Sequence, residues 1–331
     1  MTTNLGLCGL KNFGNTCWLN SSIQCLLSIK PITDLALNYN INNKTILMNE
    51  WIRLINGVKN ENCVITPLSF FKSVIISSNN NGYIFNFNKQ NDVEEFLVFF
   101  IDSLHEEIKR KVNITISGKI VNDIDKMAFN AMKEWKIYFK NNYSNIIDIF
   151  YGQMVSHIKV IDKDIHSYSY PPICTFSLPI NMDNENINIY DCFDLFTKPQ
   201  ILDGENKWKY DVDNEYYDIE KSYNIWKFPK ILIIHFKRFD NNGNKINKLI
   251  DFPLDNLDLT QYCVGYDKSN SIFSLTGICN HIGNNNSGHY YSYCKKNDDW
   301  YIFDDNNVNK KDKSTLITQN AYCLFYKKIN T

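Results

Sequence analysis

The clearest periodic pattern in the chain is an apolar stripe in residues 91–108. The stripe recurs at the three- and four-residue spacing of one helix face, with Val93, Phe96, Leu97, Phe100, Ile101 and Leu104. This spacing predicts an amphipathic helix with one buried face. Two other segments predict helices, one that begins near Cys17 and one at residues 125–139. Residues 17 to about 112 are therefore expected to be mainly helical.

From residue 150 onward the pattern changes to short alternating strands separated by polar turns. The most apolar run follows Pro229 and covers residues 230–239, which predicts a buried strand. Further strands are predicted at residues 273–280, 289–295, 299–303 and 321–328. Helices first and antiparallel strands later are typical of an α+β fold.

Composition and charge restrict the class of protein. With 331 residues, 44% of them hydrophobic, the chain can bury a substantial core as one domain with subregions. The formal net charge of −1 gives no reason to expect nucleic acid or an anionic membrane as a partner. Neither a signal peptide nor a transmembrane stretch is found, so we expect a cytoplasmic or nuclear protein. The ten cysteines are scattered singly, which favours buried reduced thiols over disulfides.

Three short segments carry the residue types that thiol catalysis needs. Cys17 lies in the run GLKNFGNTCWLNS, His289 lies in SGHYYSY, and two adjacent acids end the run WYIFDD. Such a set supplies a nucleophile, a base and a carboxylate that orients the base. Thr16 is a candidate N-cap of the helix at Cys17, whose positive end favours a thiolate. Asn12 could donate an amide N–H to a developing oxyanion.

These segments resemble the signature of the ubiquitin-specific proteases, a family of papain-like cysteine proteases that remove ubiquitin. The resemblance extends from about residue 9 to about residue 326. It implies that Cys17 is the nucleophile, His289 the base and Asp304 the orienting carboxylate. Asn12 would be the oxyanion donor, and Asp305 would have a supporting role. Taken singly, Cys17 could be a structural thiol, His289 a strand histidine, and the two acids turn residues.

The resemblance also implies a papain-like α+β fold with a helical thumb, β fingers and an antiparallel β palm. One catalytic domain would cover residues 6–329. Within it we expect a thumb at about 7–112, a possible insertion at 113–147, fingers at about 148–228 and a palm at about 229–329. The active site would lie where the thumb meets the palm.

Another motif, QNDVEEF, begins at Gln90 at the start of the predicted helix. It resembles the family segment that contacts the basic tail of ubiquitin. The resemblance favours Asp92 over Glu95 for this contact, although acids placed for the helix dipole explain both equally well. His281 matches a position near the substrate channel, and a solvated loop histidine is the alternative. Gly288 and Tyr290, on either side of His289, complete the expected substrate-binding set.

Many family members hold a structural zinc ion with two Cys-x-x-Cys pairs in the fingers. No Cys-x-x-Cys occurs in this chain, so we expect neither a metal site nor a cofactor. The matching positions are occupied by Lys159, Asp162, Tyr210 and Asp213. Packing would have to hold the fingers instead, with the candidates Tyr151, Val160, Trp208 and Tyr210.

The expected function is hydrolysis of the isopeptide or peptide bond after the C-terminal glycine of ubiquitin, through a Cys-His-Asp triad and an acyl-enzyme. The expected partners are ubiquitin and ubiquitinated proteins, and the expected state is a monomer. Two alternatives stay open at this point. The chain could act on another ubiquitin-like modifier, or it could be a catalytically weak ubiquitin-binding module.

Overall fold

The computed structural model describes residues 6–59, 63–182, 184–284 and 287–329. The helices in these ranges are α1 (Cys17–Leu27), α2 (Lys30–Leu37), α3 (Ile46–Gly57), α4 (Leu68–Asn80), α5 (Val93–Ile108), α6 (Asp123–Phe139), α7 (Asn145–Phe150) and α8 (Ile189–Thr197). The helices predicted from periodicity correspond to α1, α5 and α6, and all three are confirmed. In the part of the chain described here, no helix combines the length and apolar character needed to span a membrane.

The strands of the described ranges lie mainly in the second half of the chain. They are β1 (Gly9–Leu10), β2 (Val64–Ile65), β3 (Gly152–Val160), β4 (His166–Ser169), β5 (Pro172–Ile173), β6 (Thr175–Leu178), β7 (Ile187–Asn188), β8 (Gln200–Leu202), β9 (Trp208–Lys209), β10 (Tyr216–Tyr217), β11 (Ile219–Lys227), β12 (Ile231–Phe236), β13 (Ile250–Asp251), β14 (Leu257–Asp258), β15 (Ile272–Gly283), β16 (Gly288–Lys296), β17 (Asp299–Asp304), β18 (Asn307–Lys311) and β19 (Ala321–Lys328). The five strands predicted after residue 229 correspond to β12, β15, β16, β17 and β19.

The largest sheet forms the palm, with the strand order β18-β17-β16-β15-β19-β12-β6 and with β14 beside β15. Its neighbours are antiparallel except for β12 and β6, which run parallel. The antiparallel palm predicted at about 229–329 is confirmed, and β6 adds a parallel strand at its edge. A parallel pair needs a long connection between its strands, and residues 179–230, which include α8 and most of the fingers, supply it.

The thumb helices pack on one face of the palm around a single apolar core. Helix α5 lies in this core with Phe96, Leu97 and Phe100 fully buried, as its apolar stripe predicts. Helix α1 lies between α5 and the strands β15 and β16. This packing places the first residue of α1 beside the start of β16.

The fingers sheet has the order β4-β3-β11-β8, and β5 pairs with β3. Helix α6 covers the base of this sheet, where Ala131 packs near Val155 and Trp226. The Gln153 amide donates to the Ala131 carbonyl at 2.9 Å, which fixes the helix on the sheet. Most of segment 113–147 is thus attached to the fingers.

At the tip of the fingers, polar and aromatic contacts replace a Cys-x-x-Cys pair. Lys163 lies 4.1 Å from the centre of the Tyr217 ring and donates to its hydroxyl at 2.9 Å. That hydroxyl donates to Asp213 at 2.7 Å. The predicted partners Trp208 and Tyr210 do pack together, with ring centres 5.3 Å apart.

Tyr151 packs at the base of the fingers, where its ring centre lies 5.9 Å from that of Phe139. Tyr151 follows α7 and packs against the thumb core, because its chain position is the entry to β3 rather than the distal sheet. Its hydroxyl donates to Asp102 of α5. Tyr151 therefore joins the base of the fingers to the thumb.

The expectation that all cysteines are reduced thiols is wrong for one pair. Cys8 and Cys63 form a disulfide, and their Cα atoms lie 4.7 Å apart. The two residues meet because β1 and β2 pair in parallel and Gly9 N donates to the Cys63 carbonyl at 2.9 Å. Eight other cysteines, including Cys17, are free.

Candidate active site

Cys17 is the first residue of α1 and is 2% exposed. Its sulfur lies among the N–H groups that have no partner at the start of the helix, at the positive end of the helix dipole. Gly14 precedes it with φ +110°, a conformation that glycine adopts without strain. Thr16 occupies the predicted N-cap position, but its side chain makes no capping hydrogen bond.

His289 lies at the start of β16, between the sulfur of Cys17 and the carboxylate of Asp304. Its Nε2 donates to Asp304 Oδ1 at 2.6 Å. A hydrogen bond to the Cys17 sulfur, together with the bond to Asp304, outweighs partial burial and raises the pKa of His289 to about 9. Because Nε2 is hydrogen-bonded to Asp304, Nδ1 is the ring nitrogen that is left to hydrogen-bond the Cys17 sulfur. These three side chains come together as the sequence predicts.

Asp305 has different partners from its neighbour. It follows β17 in a left-handed turn with φ +48°. Its Oδ2 accepts a hydrogen bond from Asn12 Nδ2 at 2.8 Å, and its Oδ1 accepts one from Asn20 Nδ2 at 2.7 Å. Strand β1 approaches this turn so closely that a Cβ on Gly9 would lie 2.3 Å from the Asn306 carbonyl oxygen.

Asn12 is held at both ends of its amide. Its Oδ1 accepts from the backbone N and the hydroxyl of Thr16, both at 3.1 Å, and one Nδ2 hydrogen goes to Asp305. Asn12 therefore closes the turn that leads into α1. The second Nδ2 hydrogen has no acceptor among the described residues and is free for a ligand.

Asp92 caps α5. Its Oδ1 accepts from the backbone N of Glu94 at 2.7 Å and of Glu95 at 3.1 Å, and its Oδ2 accepts from the Tyr322 hydroxyl. The capping interpretation is confirmed, because both carboxylate oxygens serve the fold. Glu95 lies at the surface of the protein. Desolvation by the atoms around its carboxyl group, together with the negative charges of Asp92 and Glu94, raises its pKa.

His281 lies in β15 and is 3% exposed, so the interpretation as a solvated loop histidine is wrong. Strand β15 continues three residues beyond its predicted end and carries His281 against Tyr290, with ring centres 4.5 Å apart. Burial and the positive charge of Lys245 lower the pKa of His281 to about 4. His281 is therefore neutral near pH 7.

Gly288 lies in a narrow gap beside His281. A Cβ at this position would lie 2.2 Å from His281 Nε2 and 2.8 Å from the Ile282 carbonyl oxygen. The Gly288 carbonyl accepts from Gln90 Nε2 at 3.0 Å, and the same nitrogen lies 3.3 Å from Asn15 Oδ1. Gln90 thus links the loop before α5 to the Cys17 loop and to the start of β16.

No role is predicted from the sequence for Gln90 or Asn20, although both lie within the segments that resemble the family. The available signal for Asn20 is its place one helical turn after Cys17 on a buried helix, where an amide needs a partner. For Gln90 the partner is a backbone carbonyl 198 residues away, and no local pattern predicts it.

One group of potential metal ligands is found among the described residues, and it consists of His289, Asp304 and Asp305 within 4.8 Å of one another. The atoms that could bind a metal ion are the same atoms that form the hydrogen bonds of the site. Asp304 binds His289, and both Asp305 oxygens accept from amides. A cation here would have to displace these hydrogen bonds, so the set does not fit a resident metal.

The chain is similar to known proteins over nearly its whole length. A family model described as ubiquitin carboxyl-terminal hydrolase matches residues 8–326. Ubiquitin carboxyl-terminal hydrolase 2 is 32% identical in Bos taurus over 341 residues and in Homo sapiens over 342, and each alignment covers 97% of this chain and 55% of the relative. Ubiquitin carboxyl-terminal hydrolase 21 of Mus musculus is 29% identical over 355 residues, which cover 97% of this chain and 61% of that protein.

The chain thus spans about half the length of the curated relatives it matches. The family match extends over almost the whole chain, from β1 to β19, and includes all the segments that carry the site. The chain belongs to the ubiquitin carboxyl-terminal hydrolase family and, within it, to the ubiquitin-specific proteases.

Proposed function

We propose that this chain is a deubiquitinating cysteine protease that hydrolyses the isopeptide or peptide bond after the C-terminal glycine of ubiquitin. The observation that carries the proposal is the position of His289, which hydrogen-bonds Cys17 and Asp304 at once. Family membership adds the substrate class, because the relatives are ubiquitin carboxyl-terminal hydrolases.

In the first half of the reaction, the Cys17 sulfur attacks the carbonyl carbon of the terminal glycine. The negative charge that develops on the carbonyl oxygen is stabilised by the free N–H of Asn12 and by backbone N–H groups at the start of α1. His289 gives its proton to the leaving amine, and a thioester with Cys17 remains.

In the second half, a water molecule attacks the thioester. His289 takes one proton from this water, the C–S bond breaks, and ubiquitin leaves with a free carboxylate. Asp304 keeps the imidazole in one tautomer and one orientation through both halves. The raised pKa of His289, about 9, supports this cycle because the imidazolium is present at neutral pH to protonate the amine.

Gly288, His281 and Tyr290 form the wall along which the two terminal glycines of ubiquitin would lie. The gap at Gly288 is too small for a Cβ, and a channel of this width suits a substrate tail without side chains. We assign Glu95, rather than Asp92, as the residue that contacts the basic residues of the ubiquitin tail. Glu95 is exposed, whereas both Asp92 oxygens already have partners in the fold.

The test is reaction with ubiquitin that carries a C-terminal electrophile, followed by intact mass measurement. Wild type should gain one ubiquitin, and Cys17→Ala should gain none. Cys174→Ala is the matched control, because this free thiol lies outside the site and burial raises its pKa well above the usual value. Loss of capture in that control, or capture by Cys17→Ala, would contradict the proposal.

The same experiment separates the alternatives. A probe built on another ubiquitin-like modifier would react in place of the ubiquitin probe if the chain served that modifier. A binding module without catalysis would bind ubiquitin but react with neither probe.

A further inference from the structure

Asn20 lies one helical turn after Cys17 on α1, and its side chain is 2% exposed. Its amide nitrogen donates to Asp305 Oδ1 at 2.7 Å and to the Leu10 carbonyl at 3.2 Å. The Asn20 amide oxygen has no hydrogen-bond partner among the described residues. The two hydrogen bonds that its amide nitrogen donates therefore orient the Asn20 side chain.

Asp305 passes this constraint to Asn12. One Asp305 oxygen is fixed by Asn20, and the other accepts from Asn12 at 2.8 Å. The backbone of Asp305 is fixed as well, since its carbonyl accepts from Leu10 N at 2.8 Å. The carboxylate thus bridges the helix that carries Cys17 and the loop that carries Asn12.

The direction of the free Asn12 N–H depends on this bridge. An amide group is planar, so the bond to Asp305 fixes the other N–H of the same nitrogen. A donor contributes to catalysis when it points to the place where the oxyanion develops. Without Asn20, the Asp305 carboxylate loses one of its two side-chain donors and can rotate, which leaves the bonds from Thr16 alone to orient the Asn12 amide.

We infer that Asn20 is a positioning residue for the oxyanion donor, acting on Asn12 through Asp305. The inference rests on the proposed function, because it assigns Asn12 the same oxyanion role. It adds a residue that does not touch the substrate. Its removal should therefore change kcat and leave KM nearly unchanged.

The test compares Asn20→Leu with Gln24→Leu, using release of a fluorophore from a ubiquitin C-terminal amide. Both substitutions remove a buried amide from α1, and Leu has the branched shape of Asn and is one atom shorter than Gln. Gln24, one turn further on, is 3% exposed and donates to the Cys8 carbonyl at 2.8 Å, so it is a matched control without contact to Asp305. We expect kcat to fall about 10- to 100-fold in Asn20→Leu, with KM within about twofold, and to stay near wild type in Gln24→Leu.

A double-mutant cycle shows whether Asn20 acts through Asp305. In an Asp305→Ala background, Asn20→Leu should cause no further loss of kcat, because the bridge is already absent. An equal loss in both backgrounds would overturn the inference, and so would full kcat in folded Asn20→Leu. If the wild-type chain itself releases no fluorophore, the proposed function fails and the inference fails with it.

Should Asn20→Leu not fold, Asn20→Asp replaces it. This variant places a second carboxylate beside Asp305, and the two share a proton more readily as the pH falls. Its kcat deficit relative to wild type should therefore shrink between pH 8 and pH 6. A deficit that does not change with pH would overturn the inference.

Discussion

The carboxylates of Asp304 and Asp305 are adjacent in the chain and have different partners. Asp304 accepts from the ring of His289, whereas Asp305 accepts from Asn12 and Asn20. The backbone of Asp305 is left-handed, with φ +48°, and directly follows β17. The two neighbouring carboxylates therefore reach different parts of the site. Because each acid contacts a different part of the site, their substitutions should have different kinetic effects.

We expect Asp304→Ala to lower kcat about 10³- to 10⁴-fold, because an unoriented imidazole loses its tautomer and direction. Asp305→Ala should lower kcat less, about 10²-fold, since it disturbs only the oxyanion donor. Steady-state kinetics on a fluorogenic ubiquitin amide measures both, after a thermal melt has shown that each variant folds. The reverse order would make Asp305 the third member of the triad.

The pH dependence of the reaction should report His289. Its pKa is raised to about 9 from the ordinary 6.5, so the imidazolium persists through neutral pH and is lost as the pH rises through about 9. The stabilisation that the charged ring gives the fold is complete below pH 6.5 and disappears over the same rise. We expect kcat/KM to fall above pH 9 in wild type.

Asp304→Ala provides the control for this pH profile. Removing the carboxylate removes one cause of the raised pKa, so the alkaline limb should move to lower pH. Asp305→Ala should leave the limb in place, because Asp305 does not contact the imidazole. An alkaline limb that is unchanged in Asp304→Ala would contradict the assignment of this limb to His289.

Gly288→Ala should reduce kcat/KM at least about tenfold. The new Cβ would lie 2.2 Å from His281 Nε2, so the histidine and the start of β16 would have to move. Displacements of about 1 Å near reacting groups cost up to about 10²-fold in rate. Gly57→Ala is the control, because a Cβ there meets only the end of the Ile65 side chain at 3.3 Å. Wild-type kinetics in Gly288→Ala would contradict the prediction that Gly288 lines the substrate channel.

The fingers should be free of zinc. At the tip, Asp213 accepts from the Tyr217 hydroxyl, and Lys163 places a positive charge beside the same ring. A zinc site needs thiolate or imidazole ligands that converge tetrahedrally. We therefore expect chelator treatment to leave the melting temperature and kcat unchanged. Stoichiometric zinc in elemental analysis of the purified protein would contradict this prediction.

Much of the fold could be predicted because its signals are local. The stripe of α5 and the apolar run of β12 appear within windows of 10 to 18 residues, and burial of one face follows from the pattern. His281 was harder to place. Strand β15 continues through its polar end because β16 pairs with it up to Gly283, and this pairing is not visible in the local sequence.

The features that could not be predicted depend on distant pairs of residues. Cys8 and Cys63 are separated by 55 positions, and only the pairing of β1 with β2 brings them together. Asn20 and Asp305 are separated by 285 positions and meet where α1 contacts β17. Residue types near Cys17 indicated the chemistry, but the hydrogen bonds that orient the oxyanion donor required the fold.

The most direct test of the account is Cys17→Ala, measured for both turnover and binding. Truncation removes the nucleophilic sulfur and very little recognition surface. Release of fluorophore from the ubiquitin amide should fall below detection, while the Kd for ubiquitin should change less than about twofold. Appreciable turnover by this variant would contradict the central claim, because Cys17 would then not be the nucleophile.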